Sequence, residues 1–215
     1  MPLAYIEGFT YFYGRKFTLT PDVLIPRPET AQLVDLAIQL ITNLPDQKNP
    51  LRILDLGTGS GIIAITLALE LKKSTNLQIT ATDICPKTLK IARENAHTHK
   101  VSDKITFIQS DLFNHQSFSK TKFSSILANL PYVDPNWPWL NHPALAHEPP
   151  IALFAKDHGL ALIKQLIRTA KNHLDKHGTL ILEHDPCEFP SLSTFANQHH
   201  FTIKPHTPYI TALSQ

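Results

Sequence analysis

Ile53-Leu54-Asp55-Leu56-Gly57-Thr58-Gly59-Ser60-Gly61 is the stretch on which the reading of this chain turns. Residues 51–56 form a short apolar run, the pattern of a strand buried in a parallel sheet. Glycines follow at every second position, and residues 62–69 read as a helix apolar on most faces. Strand, glycine turn and helix bring backbone N–H groups to a ligand at a helix N-terminus. A Cβ in such a turn would block the ligand or forbid the turn. The spacing narrows the ligand. A dinucleotide loop needs G-x-G-x-x-G, and a Walker A loop needs Lys after its last glycine; position 62 is Ile62 and meets neither requirement. A plain tight turn is the other reading of the glycines alone.

A second acidic residue favours the ligand. Residues 77–83 read as the next strand and end in Asp83, about 20 residues past the loop, where ribose hydroxyls are held in this architecture. The loop D-x-G-x-G-x-G, here Asp55 to Gly61, resembles motif I of class I S-adenosylmethionine (SAM) methyltransferases.

Composition sets outer bounds. The chain has 215 residues, which suits one α/β domain with a small appendage. Its formal net charge is +2, and its basic runs are pairs such as Arg15-Lys16 and Lys72-Lys73, so no large nucleic-acid footprint is expected. The two cysteines, Cys85 and Cys187, have no metal-ligand spacing, and the twelve histidines form no H-E-x-x-H cluster, so no metal is expected. No signal peptide opens the chain, and no apolar run approaches the ~18 residues of a membrane span. A reducing cytoplasm is the expected compartment, with no membrane partner.

In chain order, residues 5–19 are rich in aromatics, are punctuated by Gly8 and Gly14, and read as a β-hairpin. Residues 24–30, Leu-Ile-Pro-Arg-Pro-Glu-Thr, are extended because residues before proline avoid the helical region. A helix is expected from about Pro28 through Ile41, and residues 43–50 as a polar linker. Arg27 and Glu29 read either as a surface ion pair or as part of a pocket wall. Helices are expected over 86–99, 157–176 and 188–199, and strands over 105–109, 123–128, 178–183, 201–203 and 209–213. The proline-rich segment 133–150, with Trp137 and Trp139, reads as an ordered loop over a site. After strand 105–109, Asp111 would face an adenine amino group and Leu112 would pack on the ring; a turn or helix-cap role is the other reading of Asp111. The alternation predicts an α/β fold: a Rossmann-like, doubly wound, mostly parallel sheet closed by antiparallel strands. Residues 1–27 form an N-terminal β-hairpin and substrate-side segment, and 28–215 the catalytic domain.

Strand 123–128 delivers Asn129-Leu130-Pro131-Tyr132 at its carboxyl end, where ligands bind in open α/β sheets. The tetrad suits a planar nitrogen whose lone pair is delocalised. The Asn129 side-chain oxygen can accept one N–H, the Leu130 carbonyl the other, and Tyr132 can stack on the planar group. Orientation of this kind acts by proximity. A simple turn after a strand is the bland alternative.

Residues 2–8, Phe12-Tyr13-Gly14, residues 24–30, the glycine loop, the tetrad and Glu148-Pro149-Pro150-Ile151-Ala152-Leu153 occur in one order. The chain thereby resembles the catalytic domain of bacterial release-factor glutamine methyltransferases (PrmC/HemK type), over nearly its whole length. The resemblance implies the class I SAM-dependent methyltransferase fold and N5-methylation of the glutamine in the Gly-Gly-Gln loop of peptide chain release factors. SAM is then the cofactor and S-adenosylhomocysteine the product. It implies that Gly57, Thr58, Gly59, Ser60, Gly61, Asp83, Asp111, Leu112 and Asn129 hold SAM. Asn129, Leu130, Pro131 and Tyr132, with Arg27 and Glu148, would hold the target glutamine, and Asn129, Pro131 and Tyr132 would be catalytic. The expected partner is a release factor, met as a monomer.

Three departures stand out. The family tetrad is Asn-Pro-Pro-Tyr, and Leu130 replaces its first proline; Asn-Leu-Pro-Tyr also resembles the tetrad of rRNA adenine-N6 methyltransferases. Family members usually carry a helical N-terminal domain, whereas this chain begins at its hairpin. Phe154-Ala155-Lys156-Asp157 and Glu183-His184-Asp185 replace the family's usual residues around the pocket. The competing readings are an adenine-N6 methyltransferase on RNA or DNA, and a SAM-binding protein whose activity is lost or depends on a partner.

Overall fold

The computed structural model describes residues 1–44, 50–72, 76–138, 140, 145–204 and 207–214. Most of the expected linker at 43–50, Trp139, and residues 141–144 of the proline-rich loop lie outside them.

The N-terminal segment corrects the sequence reading. Its first part is a short helix, α1 (Leu3–Glu7), ended by Gly8 in the left-handed conformation at φ 75°. The hairpin starts only at β1 (Phe9–Phe12), which pairs antiparallel with β2 (Arg15–Thr18) as a separate two-stranded sheet. The buried Tyr5 on α1 donates to the Val23 carbonyl at 2.7 Å and so ties the helix to the extended segment beyond the hairpin.

The main sheet has seven strands. In chain order they are β3 (Leu51–Leu56), β4 (Leu77–Asp83), β5 (Ile105–Gln109), β6 (Phe123–Ala128), β7 (Leu174–Glu183), β8 (Thr202–Ile203) and β9 (Ile210–Ser214). Their order in the sheet is β5-β4-β3-β6-β7-β9-β8. Strands β3 to β7 run parallel, and β9 is antiparallel to both neighbours. The chain moves outward from β3 to β5, then crosses back to begin β6 on the other side of β3. That reversal opens a crevice at the carboxyl ends of β3 and β6. Their register pairs Leu56 with Ala128, so Gly57 and Asn129 leave the sheet as neighbours.

The central strands bury both faces, and successive residues serve opposite cores. Ile53, Ile79, Ala81 and Leu127 pack under α2 (Thr30–Thr42) and α3 (Ile62–Glu70). Leu54, Leu56, Ile126 and Ala128 pack under α6 (Ala161–Ala170) and α7 (Phe189–Gln198). Between these, α4 (Pro86–Thr98) follows β4 and α5 (Pro150–Leu153) precedes α6.

A second correction concerns residues 157–176, expected as one helix. The helix covers only the middle of that span, and β7 already starts at Leu174. Asp157, His158 and Gly159 all have positive φ (58°, 53° and 90°), which forbids a helix there.

Asn95, buried on α4, joins the appendage to the main domain. Its Nδ2 donates to the Thr18 carbonyl at 3.1 Å and to the Ser60 carbonyl at 2.9 Å, and its Oδ1 accepts from Thr18 N–H at 2.8 Å.

Candidate active site

The glycine loop lies at the crevice. Gly57 has φ 71°, and a Cβ there would sit 3.0 Å from Leu130 Cδ2, so the loop and the tetrad abut. At Gly61 (φ 85°) a Cβ would meet Ile65 Cδ1 at 2.9 Å and Ala92 Cβ at 3.2 Å, so this glycine lets α3 start close against α4. Asp55, fully buried, braces the loop from behind: its Oδ2 accepts from the Thr58 hydroxyl at 2.6 Å and from Ala64 N–H at 3.2 Å. Burial pushes its carboxyl up to about 7, against the pull of those two donors.

Asp83 ends β4 facing the loop. Its Oδ2 accepts from Gly59 N–H at 3.1 Å and its Oδ1 from Cys85 N–H at 2.9 Å. Burial raises its pKa and these backbone donors oppose the rise. Beyond β5, the Ser110 hydroxyl donates to the Leu112 carbonyl at 2.8 Å, and Leu112 is held in the left-handed region at φ 47°.

A cavity of about 360 Å³ runs over these parts. Gly57, Thr58, Gly59, Ser60, Asp83, Asp111, Leu112 and Asn129 all line it, so the structure brings together every expected cofactor residue except Gly61, which shapes the turn beneath. The cavity suits SAM on its own geometry. Gly59 lines it with no heavy atom within 4 Å of where its Cβ would stand, the cradle a close ligand needs. Asp83 offers carboxylate acceptors to a diol, and Ile84 and Leu112 offer apolar walls to a flat ring.

A second cavity, about 160 Å³, adjoins the first and shares Leu24, Asn129, Leu130, Ala152 and Phe154 with it. Arg27, Tyr132 and Asp185 line only this smaller one. Asn129 Nδ2 donates to Thr30 Oγ1 at 3.1 Å, and the Tyr132 hydroxyl donates to Glu183 Oε1 at 3.2 Å. Tyr132 backs onto the turn at Gly159, whose missing Cβ would collide with the Tyr132 carbonyl oxygen.

Arg27 does not pair with Glu29. Its guanidinium binds Glu148 Oε1 at 2.6 Å, and Glu148 Oε2 also accepts from Ile25 N–H at 3.3 Å. Glu148 is buried and lines neither cavity; it fixes Arg27, which does. Two residues that the sequence reading named only within motifs, with no role at the site, stand beside Asn129. Thr30 begins α2 against Asn129, and Glu183 ends β7 beside it, its pKa pushed by burial up to about 7. A carboxylate closing the central apolar strand 178–183 was a usable signal, because a charge is seldom buried without a task.

Comparison with known proteins follows the same lines. A family model described as a methyltransferase domain matches residues 47–201. The release factor glutamine methyltransferase of Francisella tularensis subsp. tularensis is 37% identical over 201 residues, covering 94% of this chain and 68% of the relative. The bifunctional methyltransferase of Rickettsia bellii is 38% identical over 205 residues, covering 85% of this chain and 36% of the relative. The chain thus spans between about a third and two thirds of the length of these curated relatives. Among solved structures, ribosomal protein L11 methylase from Lactobacillus delbrueckii subsp. bulgaricus superposes with TM-score 0.60 at 23% identity, covering 88% of this chain and 80% of that one. The M. jannaschii tRNA m1G37 methyltransferase gives 0.61 at 15%, covering 95% and 52%. At such identities these two establish the fold alone, a Rossmann-like class I methyltransferase fold. With the glycine loop, the acidic strand end and the tetrad gathered in one crevice, the Francisella relative settles the narrower kinship: the chain belongs to the release factor glutamine methyltransferase family.

Proposed function

We propose that this chain transfers the methyl group of SAM to the side-chain amide nitrogen of the glutamine in the Gly-Gly-Gln loop of peptide chain release factors. One observation carries the reading: Asn129 and Leu130 line both cavities, at the place where a cofactor in the larger would meet a side chain in the smaller. The bound cofactor supplies an electrophilic methyl group on a positively charged sulfonium. The chain supplies binding and alignment. Gly57 to Gly61, with Thr58 and Ser60, form the turn against which the cofactor packs closely, its shape held by Thr58 N–H on the Thr82 carbonyl, Gly59 N–H on Asp83 and Gly61 N–H on the Thr58 carbonyl. Asp83 accepts from the ribose hydroxyls; Asp111 and Leu112 hold the adenine. Asn129 Oδ1 and the Leu130 carbonyl accept the two amide N–H bonds, which orients the nitrogen for in-line attack. Pro131 keeps the Leu130 backbone extended, so the carbonyl stays aimed although leucine replaces the family's proline. Tyr132 covers the planar amide. Arg27, fixed by Glu148, borders the acceptor cavity on the side of residues 1–27, the substrate-side segment in this reading.

No helix among the described residues is long and apolar enough to cross a membrane. The reading places the chain in the cytoplasm as a monomer that meets the release factor there, without nucleic-acid contact of its own. The test is incubation of the chain with labelled SAM and a release factor, followed by mass spectrometry of the Gly-Gly-Gln peptide. Methylation of that glutamine is expected, with Asn129→Ala lowering the rate by at least ~10²-fold. Label on RNA adenine, or normal turnover in the variant, would overturn the reading.

A further inference from the structure

The sheet register pairs Ala128 of β6 with Leu182 of β7, which sets Asn129 and Glu183 side by side at adjacent strand ends. Thr30, the first residue of α2, closes the group. Thr30 is 0% and Glu183 1% exposed, so bulk water does not satisfy this cluster. Asn129 Nδ2 donates to Thr30 Oγ1, and the Tyr132 hydroxyl donates to Glu183 Oε1. The side chains of Thr30, Tyr132 and Asn129 all favour the ionised form of Glu183, while Glu183 Oε2 makes no hydrogen bond of ordinary geometry to the described residues.

An asparagine amide has two ends of nearly equal shape and opposite hydrogen-bonding character. Only the oxygen end can accept from a target N–H; the NH₂ end would face it donor to donor. Something must therefore choose the flip. We propose that Glu183 is that positioning residue: as an acceptor-only carboxylate it draws the hydroxyl protons of Thr30 and Tyr132, so that Thr30 Oγ1 accepts from Asn129 Nδ2 and Asn129 Oδ1 is turned to the methyl acceptor. The inference rests on the amide-methylation reading above.

Protonation reverses the chain of donors. A neutral Glu183 donates to Thr30, Thr30 donates to Asn129 Oδ1, and the amide presents its NH₂ to the cavity. Burial places Glu183 near 7, so both polarities lie within reach of neutral pH. Other charges around the group are Glu29 at the start of α2, which disfavours ionisation of Glu183, and Arg27 and Asp185, which act on Tyr132. His184 is turned away, to the Thr211 hydroxyl and the Asp185 carbonyl.

The experiment compares wild type, Glu183→Gln, Thr30→Val and Thr30→Ser. Steady-state methylation of a release factor is measured from pH 6 to 8.5, with SAM affinity and melting temperature measured for each variant. Wild-type kcat is expected to rise with pH through about 7, the rise following Glu183 ionisation. Glu183→Gln loses that rise and about ten-fold or more in kcat, with SAM affinity unchanged, because misaligned acceptors act on turnover. Thr30→Val falls likewise and Thr30→Ser recovers most of the loss. A second readout uses the ¹⁵N-labelled protein without cofactor, in which the Asn129 side-chain amide resonances titrate near neutrality in wild type and not in Glu183→Gln. Wild-type kcat and pH profile in Glu183→Gln, or Asn129 resonances indifferent to pH, would overturn the proposal. A wild-type chain that methylates no release factor would instead refute the functional reading, and the resonance titration then decides the network by itself.

Discussion

Replacing Gly159 by alanine tests how firmly the tetrad is held from behind. The residue has φ 90°, and its added Cβ would fall inside the contact envelopes of the Tyr132 carbonyl oxygen and Glu188 Oε1 and 3.0 Å from the Tyr132 carbonyl carbon. Two of these neighbours are backbone atoms, so no rotamer change relieves the clash; the two segments must part by about 1 Å to reach ordinary contact. The positive φ costs an alanine about 1–2 kcal/mol and the overpacking about 1–3 kcal/mol more. Gly8→Ala provides the control, because its φ is 75° and nothing lies within 4 Å of the new Cβ. It should therefore show the conformational cost alone. In a chain of this size 1 kcal/mol moves the melting temperature by about 2–4 °C, so Gly159→Ala should melt on the order of 10 °C below wild type and clearly below Gly8→Ala. Because the displaced atom belongs to Tyr132, methyl transfer should also fall ~10²-fold, whereas Gly8→Ala leaves it within about two-fold. Calorimetry and a single-turnover assay read both effects. Equal melting temperatures for the two variants would refute the claim that Gly159 is required by close packing against the tetrad.

Other perturbations probe separate parts. Asp83→Asn removes a charged acceptor and should weaken SAM binding at least ten-fold by titration calorimetry, since hydrogen bonds to charged groups are worth about 1.5–3 kcal/mol; an unchanged affinity would contradict the role given to this strand end. Arg27→Ala strands Glu148, whose side chain is 2% exposed and keeps only the Ile25 N–H, and should cost about 1–3 kcal/mol in urea unfolding. Arg15→Ala, whose partner Glu70 is 33% exposed, should cost less than about 1 kcal/mol, and equal losses would show that burial of the partner does not matter here. Stability should also decline from pH 5.5 to 8. Asp55 and Glu183 are raised to about 7 and Glu188 to about 8, so the folded chain keeps protons that the unfolded chain has released. Their contribution is present below the unfolded values and is lost as pH climbs to the folded ones, at up to about 1.4 kcal/mol per unit for each group. His173, lowered by burial, opposes them over part of the same range. A melting temperature higher at pH 8 than at pH 5.5 would show that these carboxyls are not held as described.

The sheet was legible because the parallel strands are short stretches rich in apolar and β-branched residues, each closed by a turn signal. Strands β3, β4, β5 and β6 fall where residues 51–56, 77–83, 105–109 and 123–128 were expected. The failures have local causes. Leu160, Ile163, Leu166, Ile167, Ala170 and Leu174 continue a helical spacing into the start of β7, and only the left-handed residues at 157–159 and the register shift between Phe123 and Ser125 reveal the true limits. Aromatic density in residues 5–19 concealed α1, although Gly8 was its cap signal. At the site, the residues of the glycine loop could be read because the chemistry is contiguous in the chain. Arg27 with Glu148, and Asn129 with Thr30 and Glu183, could not: their partners are brought together only by the crossing of distant elements.

Asn95 uses its acceptor and both donors in joining the end of the hairpin to the start of α3, the end of that helix that lies at the glycine loop. Whatever stiffens the glycine loop therefore also removes some of the freedom of the hairpin, and a protein gripping the hairpin finds part of the ordering already done. Reciprocity then requires that each guest tighten the hold on the other by the same factor. The amide proton of Thr18 reports on this directly: its exchange with solvent should slow when the distant cofactor cavity is filled, although no ligand touches it.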